Sequence, residues 1–244
     1  MDLHHMSEQA RLPWFPVSFF SMIMGLSGYT LVWIKIDELG ILGFSPVEIF
    51  AALSIALFIV LSVLYTIKIF RHRQSVVDEL NHPAMLSFFP TITISLILIG
   101  TFLSTWLPSL ALVIWLIGAL GQLALTLLIL TRWVHHDHFE IHHISPAWFI
   151  PAVGNVLVPV AGVPLGFVDV SWFFFSIGML FWSMLLTIIF YRILFHSPSD
   201  QKLMPTLFLI YTGVRVLSTG KWDLLGYCIP FAVLTFFLVG KLGS

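Results

Sequence analysis

The chain has 244 residues, 59% of them hydrophobic and 9% charged, with a formal net charge of −1 and a mean hydropathy of +1.00. A water-soluble chain carries about a quarter charged residues, so this composition describes an integral membrane protein. The near-zero charge and the lack of a basic run point away from a nucleic-acid partner. The single cysteine, Cys228, excludes an internal disulfide framework and a four-cysteine metal site.

The opening MDLHHMSEQARLPWF lacks the charged-then-apolar pattern of a signal peptide, so the first span is expected to be retained. A helical crossing needs about 20 mostly apolar residues. On that ruler the spans fall at 14–34, 47–69, 84–104, 107–131, 147–167, 171–194, 205–219 and 222–240. The seventh is short and holds Arg215. Connections at 104–107 and 168–171 are tight enough to make spans three–four and five–six antiparallel hairpins. No segment alternates with the period of two that a β-barrel strand requires. The expected fold is an all-α integral membrane protein, a single transmembrane domain over 1–244. With eight spans, eight Lys and Arg residues fall on one side (Arg11, Lys68, Arg71, Arg73, Arg132, Arg192, Lys202 and Lys241). Only Lys35, Arg215 and Lys221 fall on the other, which predicts a cytoplasmic N-terminus in the cell membrane, such as a bacterial inner membrane.

Prolines divide the spans. Odd spans carry them inside or in their first turns: Pro16, Pro90, Pro151, Pro159, Pro164 and Pro205. The second and fourth have them only at their starts (Pro46, Pro108), the sixth has none, and the eighth breaks the rule with Pro230. An interior proline removes a backbone hydrogen bond and bends the helix. In lipid such a helix belongs inside a bundle or beside water. Small residues recur on the same spans: Ser18, Ser21, Gly25 and Gly28 in the first, Ser87, Thr91 and Ser95 in the third, Gly154, Asn155 and Gly162 in the fifth. Each such stripe alone reads equally well as close helix packing, and span four has Gly118 and Gly121 as well. Shared by several odd spans, stripes and prolines together suggest an inner ring around a channel.

Charge is nearly absent from the span interiors: Glu48 and Lys68 lie at the ends of span two, and Arg215 near the end of span seven. A proton-coupled pump would want a buried Asp, Glu or His at mid-depth. Hydroxyls, glycines and phenylalanine rings suit weak binding and passive conduction instead. Half-helix N-termini could add modest positive potential for an anion.

The stretch HHDHFEIHH concentrates five of ten histidines, His135, His136, His138, His142 and His143, with Asp137 and Glu140 between them. Imidazole ligates zinc, copper, iron and nickel, and His138 and His142 have the spacing that puts two ligands on one helix face. A solvated, titratable loop accounts for the same residues. A membrane metalloprotein and a non-conducting membrane subunit are the two rival readings to a channel.

Four collinear stretches carry a resemblance: PVSFFSMIMGLSG (16–28), NHPAMLSFFPTITIS (81–95), HDHFEIHHISPAWFIPAVGNVLVPVAG (136–162) and KLMPTLFLI (202–210). They resemble the tellurite-resistance/C4-dicarboxylate transporter family, which includes TehA-like proteins, malic acid transporters and slow-type anion channels. The resemblance implies ten helices in five hairpins, with proline-kinked odd helices forming the inner pore and even helices an outer ring. It implies a passive uniporter or channel for small anions or C4-dicarboxylates (malate, chloride, nitrate, tellurite), with no cofactor and often a homotrimeric assembly. The pore positions it implies are Ser18, Ser21, Gly25, Phe88, Thr91, Gly154 and Asn155, with Pro159 as the kink. Two departures stand out. YTGVRVLSTG follows LMPTLFLI, and the chain is expected to lack the family's last two helices, including the ninth with its occluding phenylalanine.

Overall fold

The computed structural model describes residues 15–40, 44–135 and 146–195, and every element among them is helical. A 3-10 turn, Val17–Phe19, leads into α1 (Phe20–Glu38). Then come α2 (Val47–Arg71), the short α3 (Arg73–Asn81), the single turn α4 (Pro83–Leu86), α5 (Pro90–Leu103) and α6 (Pro108–His135). A second 3-10 turn, Pro146–Trp148, leads into α7 (Phe149–Gly162), and α8 (Val168–Phe195) follows. Among the described residues, four segments are long and apolar enough to cross a membrane: Val17–Glu38, Val47–Arg71, Pro108–Trp133 and Val168–Ile188. Expected spans seven and eight lie outside the described residues.

Spans three and five differ from the sequence expectation. Instead of single helices over 84–104 and 147–167, the chain forms α5 and α7, each 14 residues long. Such a helix rises only about 21 Å, short of a hydrocarbon core about 30 Å thick, so the turns that precede it complete the apolar segment. The break before α5 has a local cause. Pro90 has no N–H, and the backbone through Ser87–Phe89 tightens to three-residue hydrogen bonds, Phe88 N to Met85 O (3.0 Å) and Phe89 N to Leu86 O (3.3 Å). Prolines also open α6 and precede α2, where a missing N–H costs nothing. Pro151 lies in the first turn of α7, and among the described residues only Pro159 sits in a helix beyond its first turn.

Three antiparallel hairpins result: α1 with α2, α5 with α6, α7 with α8. The α5–α6 turn is closed by Ser104 N to Gly100 O (3.1 Å) and Leu107 N to Leu103 O (2.8 Å). The α7–α8 turn uses Gly166 at φ 89°, a left-handed conformation that favours glycine, with Phe167 N bonded back to Gly162 O (2.8 Å). α5 packs on α1 on one side and α7 on the other. α5 and α7 are buried along almost their whole length, and α1 over most of its first twelve residues. The outer helices α2, α6 and α8 instead turn large apolar side chains such as Leu53, Val63, Leu120 and Leu180 outward. Outward apolar faces cost nothing in hydrocarbon, where close packing and hydrogen bonds, not water exclusion, hold helices together.

Glycines set the packing distance. Gly118 of α6 lies against the Ile97 backbone nitrogen, where an added Cβ would approach to 3.0 Å, and Gly121 lies against Thr93. The span-four glycines therefore serve the α5–α6 hairpin. Gly178 of α8 receives α7 in the same way: an added Cβ would come to 2.9 Å from the Val156 nitrogen.

Candidate functional site

The two first stripes meet at the seam between α1 and α5. Ser18 is half-buried in the leading 3-10 turn, and its carbonyl accepts the Ser21 hydroxyl (2.6 Å). Ser21 and Gly25 are buried. Across the seam, Ser95 Oγ donates to Thr91 O (2.7 Å) and reaches Phe20 O (3.4 Å), which draws the α5 stripe against the start of α1. Thr91 is fully buried and donates its hydroxyl to Phe88 O (2.6 Å). Phe88 and Phe89 lie in the break just before α5, both almost fully buried, and Phe89 meets Tyr65 edge-on at 6.4 Å. Ser87, on the same stripe, is fully buried, with no hydrogen-bond partner for its hydroxyl among the described residues.

The N-terminal turn of α5 is not open to an anion. The amides of Thr91 and Ile92 are already given to Phe88 O (3.0 Å) and Phe89 O (3.2 Å). The half-helix potential expected there therefore reaches a ligand only through groups already paired.

Gly154 and Asn155 sit elsewhere, on the face of α7 that meets α6. A Cβ built on Gly154 would overlap the Gln122 side-chain amide. Asn155 Nδ2 donates to Thr126 Oγ1 (2.9 Å) and to Pro151 O (2.9 Å). Pro159 lies one turn further along the same helix and has no N–H for the Asn155 carbonyl to accept, which places the kink beside these contacts.

Gln122 is the residue that sequence reasoning passed over. It is fully buried, accepts from Thr93 Oγ1 of α5 (2.6 Å) and donates to Pro151 O of α7 (3.0 Å). A lone carboxamide inside an otherwise apolar span was the available signal, since a polar group in hydrocarbon must find partners.

A second missed group lies where α2 ends. Lys68 does not extend toward solvent: it is fully buried, with Nζ donating to Glu79 Oε1 of α3 (2.7 Å) and to Phe15 O (2.7 Å). Tyr65 Oη donates to the other Glu79 oxygen (2.9 Å). Arg132 of α6 donates to Asn81 Oδ1 (2.7 Å), so α3 is tied to both flanking hairpins.

Of the histidine cluster, His135 closes α6, and His136, His138, His142 and His143 lie outside the described residues. Among the described residues no group of three or more His, Cys, Asp or Glu side chains could hold a metal ion.

Buried helices in contact, with charge gathered at their ends, suit a bundle set in a membrane. Residues 14–222 match the family model described as voltage-dependent anion channel. The chain belongs to this family. It is similar to an uncharacterized transporter of Methanocaldococcus jannaschii, 25% identical over 168 residues, 64% of this chain and 49% of the relative. It is also similar to the tellurite resistance protein TehA homolog of Haemophilus influenzae, 27% identical over 191 residues, 78% of this chain and 57% of that protein. The S-type anion channel SLAH3 of Arabidopsis thaliana is 24% identical over 225 residues, 86% of this chain and 35% of its own length. The chain thus spans about half, or less, of the length of the relatives it matches. The anion-channel family is one of membrane transport proteins, and the apolar helices of this member suit that setting.

Proposed function

We propose that this member of the anion-channel family conducts anions passively across the cell membrane, along a path bordered by α1, α5 and α7. The observation that carries the reading is the character of these three helices. They are buried and in contact in succession, and α5 and α7 contain no charged residue. Apart from the Lys35–Glu38 pair at the exposed end of α1, hydroxyls and small residues are what they offer. Such a path binds an anion weakly enough to release it, and selects by width and by the dipoles of polar groups. Ser18, Ser21, Gly25, Phe88 and Thr91 are the proposed lining at the α1–α5 seam. Gly154 and Asn155 support the wall from the α6 side, next to the Pro159 kink.

The proposed cargo is small anions or C4-dicarboxylates, the class suggested by a TehA homolog and a plant anion channel among the relatives. Passive permeation needs no cofactor and no chemical step, so the protein is not an enzyme. The N-terminus and the Lys68–Glu79 cluster face the cytoplasm in this reading, and the proposed assembly is a homotrimer of multi-pass subunits.

Cysteine substitution tests the path. In a Cys228→Ser background, Ser21→Cys and Thr91→Cys should react with a water-borne thiol reagent, and the reaction should reduce chloride flux. Leu180→Cys, on the outward face of α8, is the lipid-facing control. Protection of Ser21→Cys and Thr91→Cys equal to that of the control would refute the α1–α5 assignment.

A further inference from the structure

α6 inserts two side chains between its inner neighbours. Trp115 and Gln122 are fully buried and seven residues apart, two turns along one face of α6. Each touches both α5 and α7. Trp115 stacks its Cβ on Gly100 of α5, and its ring fills the space left by Gly162 of α7, where an added Cβ would come to 2.7 Å. Gln122 bonds Thr93 of α5 and occupies the space left by Gly154 of α7.

Each also donates to a main-chain carbonyl of α7: Trp115 Nε1 to Val158 O (2.9 Å), and Gln122 Nε2 to Pro151 O (3.0 Å). The two acceptors are again seven residues apart, and the order reverses, as antiparallel helices demand. Two donors spaced two turns apart along α6, meeting two carbonyls spaced two turns apart along α7, leave α7 neither free to slide nor free to turn about its axis. The Trp115 contact falls on Val158, the residue before Pro159, where a helix lacking one backbone bond would otherwise swing.

With that rotation set, the sides of α7 can be assigned. Pro151, Gly154, Asn155, Val158 and Gly162 face α6. Ala152 and Val156 face α8 through Gly178, and Phe149 meets Trp182 of α8. At 3.6 residues per turn, Val153 and Val160 fall opposite the carbonyls that α6 holds. Val160 is also the one residue of α7 that is not buried.

We infer that Trp115 and Gln122 are positioning residues that fix the rotation of α7, and that Val153 and Val160 are the face it presents to the anion path. The inference rests on the path proposed above and adds a specificity element to it: on the α7 side the path is apolar, a constriction that passes an anion only when wetted. Its polar lining comes from α1 and α5.

The test uses liposomes containing the full chain with Cys228→Ser, and carries Val153→Cys, Val160→Cys or Asn155→Cys. Labelling by a membrane-impermeant thiol reagent is read by intact mass, and chloride flux is read in the same vesicles. Val153→Cys and Val160→Cys should label about tenfold faster than Asn155→Cys, a ratio within reach of a modest bias between two rotations, and their labelling should block flux. Equal or reversed labelling would overturn the rotation. Fast labelling of Val160→Cys with undiminished flux would overturn the constriction while upholding the rotation. A parent without chloride flux would count against the proposed function, and the labelling order would still decide the rotation. Gln122→Met keeps the side-chain length and removes the cross-helix bonds, so it should collapse the labelling difference. Thr93→Val cuts only the bond to α5 and should preserve it. Should Gln122→Met fail to fold, Trp115→Phe removes the other donor and serves instead. An unchanged labelling ratio in Gln122→Met or Trp115→Phe would show that α6 does not position α7.

Discussion

Neutralising Glu79 should be among the most damaging conservative changes in this protein. Lys68 is fully buried, and its ammonium has three sources of stabilisation: Glu79 Oε1 at 2.7 Å, Phe15 O at 2.7 Å and the Tyr65 ring at 5.6 Å. Glu79→Gln keeps the shape of the pair but leaves a buried positive charge without its counter-ion. Removing one partner of a buried pair costs about 3–5 kcal/mol. Because the Gln carbonyl can still accept one bond from Lys68, the lower end, about 3 kcal/mol, is expected. Lys68→Met should cost less, about 2 kcal/mol, because the Glu79 side chain is 13% exposed and keeps its bond from Tyr65 Oη. The double variant leaves neither charge unmatched, so its cost should fall below the sum of the single costs by more than 1 kcal/mol. For a chain of this size, 3 kcal/mol corresponds to a drop in apparent melting temperature of about 6–12 °C. Thermal unfolding of the detergent-solubilised protein, monitored by loss of the monodisperse peak in size-exclusion chromatography, reads all three variants. Additive losses, or a Glu79→Gln variant as stable as the parent, would refute the view that the pair is matched and buried.

Other substitutions probe the helix contacts and the transport chemistry. Gly154→Ala should destabilise by about 1–3 kcal/mol, because its Cβ takes the space of the Gln122 amide, and Gln122→Ser should restore much of the loss in the same unfolding assay. Trp115→Phe keeps the Cβ against Gly100 and an aromatic ring on the Gly162 side, and gives up the bond to Val158 O, for about 1 kcal/mol. A pH gradient imposed across liposomes at fixed anion gradient should leave the flux unchanged, since no carboxylate lies within α5 or α7. A steep dependence on that gradient would contradict passive conduction. Chelators such as EDTA should leave flux and melting temperature unchanged, and a stoichiometric metal whose loss abolishes flux would restore the 135–143 histidines to the site.

Much of the outer shell could be read from sequence because its helices are uninterrupted. Expected spans 47–69, 107–131 and 171–194 became Val47–Arg71, Pro108–His135 and Val168–Phe195. Their apolar runs end in prolines or charged residues that a hydropathy ruler sees. The inner helices are harder, because a proline acts on residues before it: Pro90 belongs to α5, but the break it enforces falls on Ser87–Phe89. The Ser87–Thr91–Ser95 stripe was legible from its period, and Ser95 does turn toward α1. Gly154 and Asn155 show the limit of such reading. A small or polar residue in mid-membrane marks either a path or a socket for a neighbouring helix, and only the position of Gln122 distinguishes the two. Lys68 and Glu79, eleven residues apart on different helices, share no local pattern that could pair them.

The central claim is that an anion moves passively along the helices α1, α5 and α7. Chloride, nitrate and malate efflux from liposomes containing this 244-residue chain, against protein-free liposomes, tests it most directly. The account predicts an anion-selective leak that follows the imposed gradient and falls when Thr91→Cys is labelled. Well-folded protein that gives no leak above the protein-free control under any of the three gradients would contradict it.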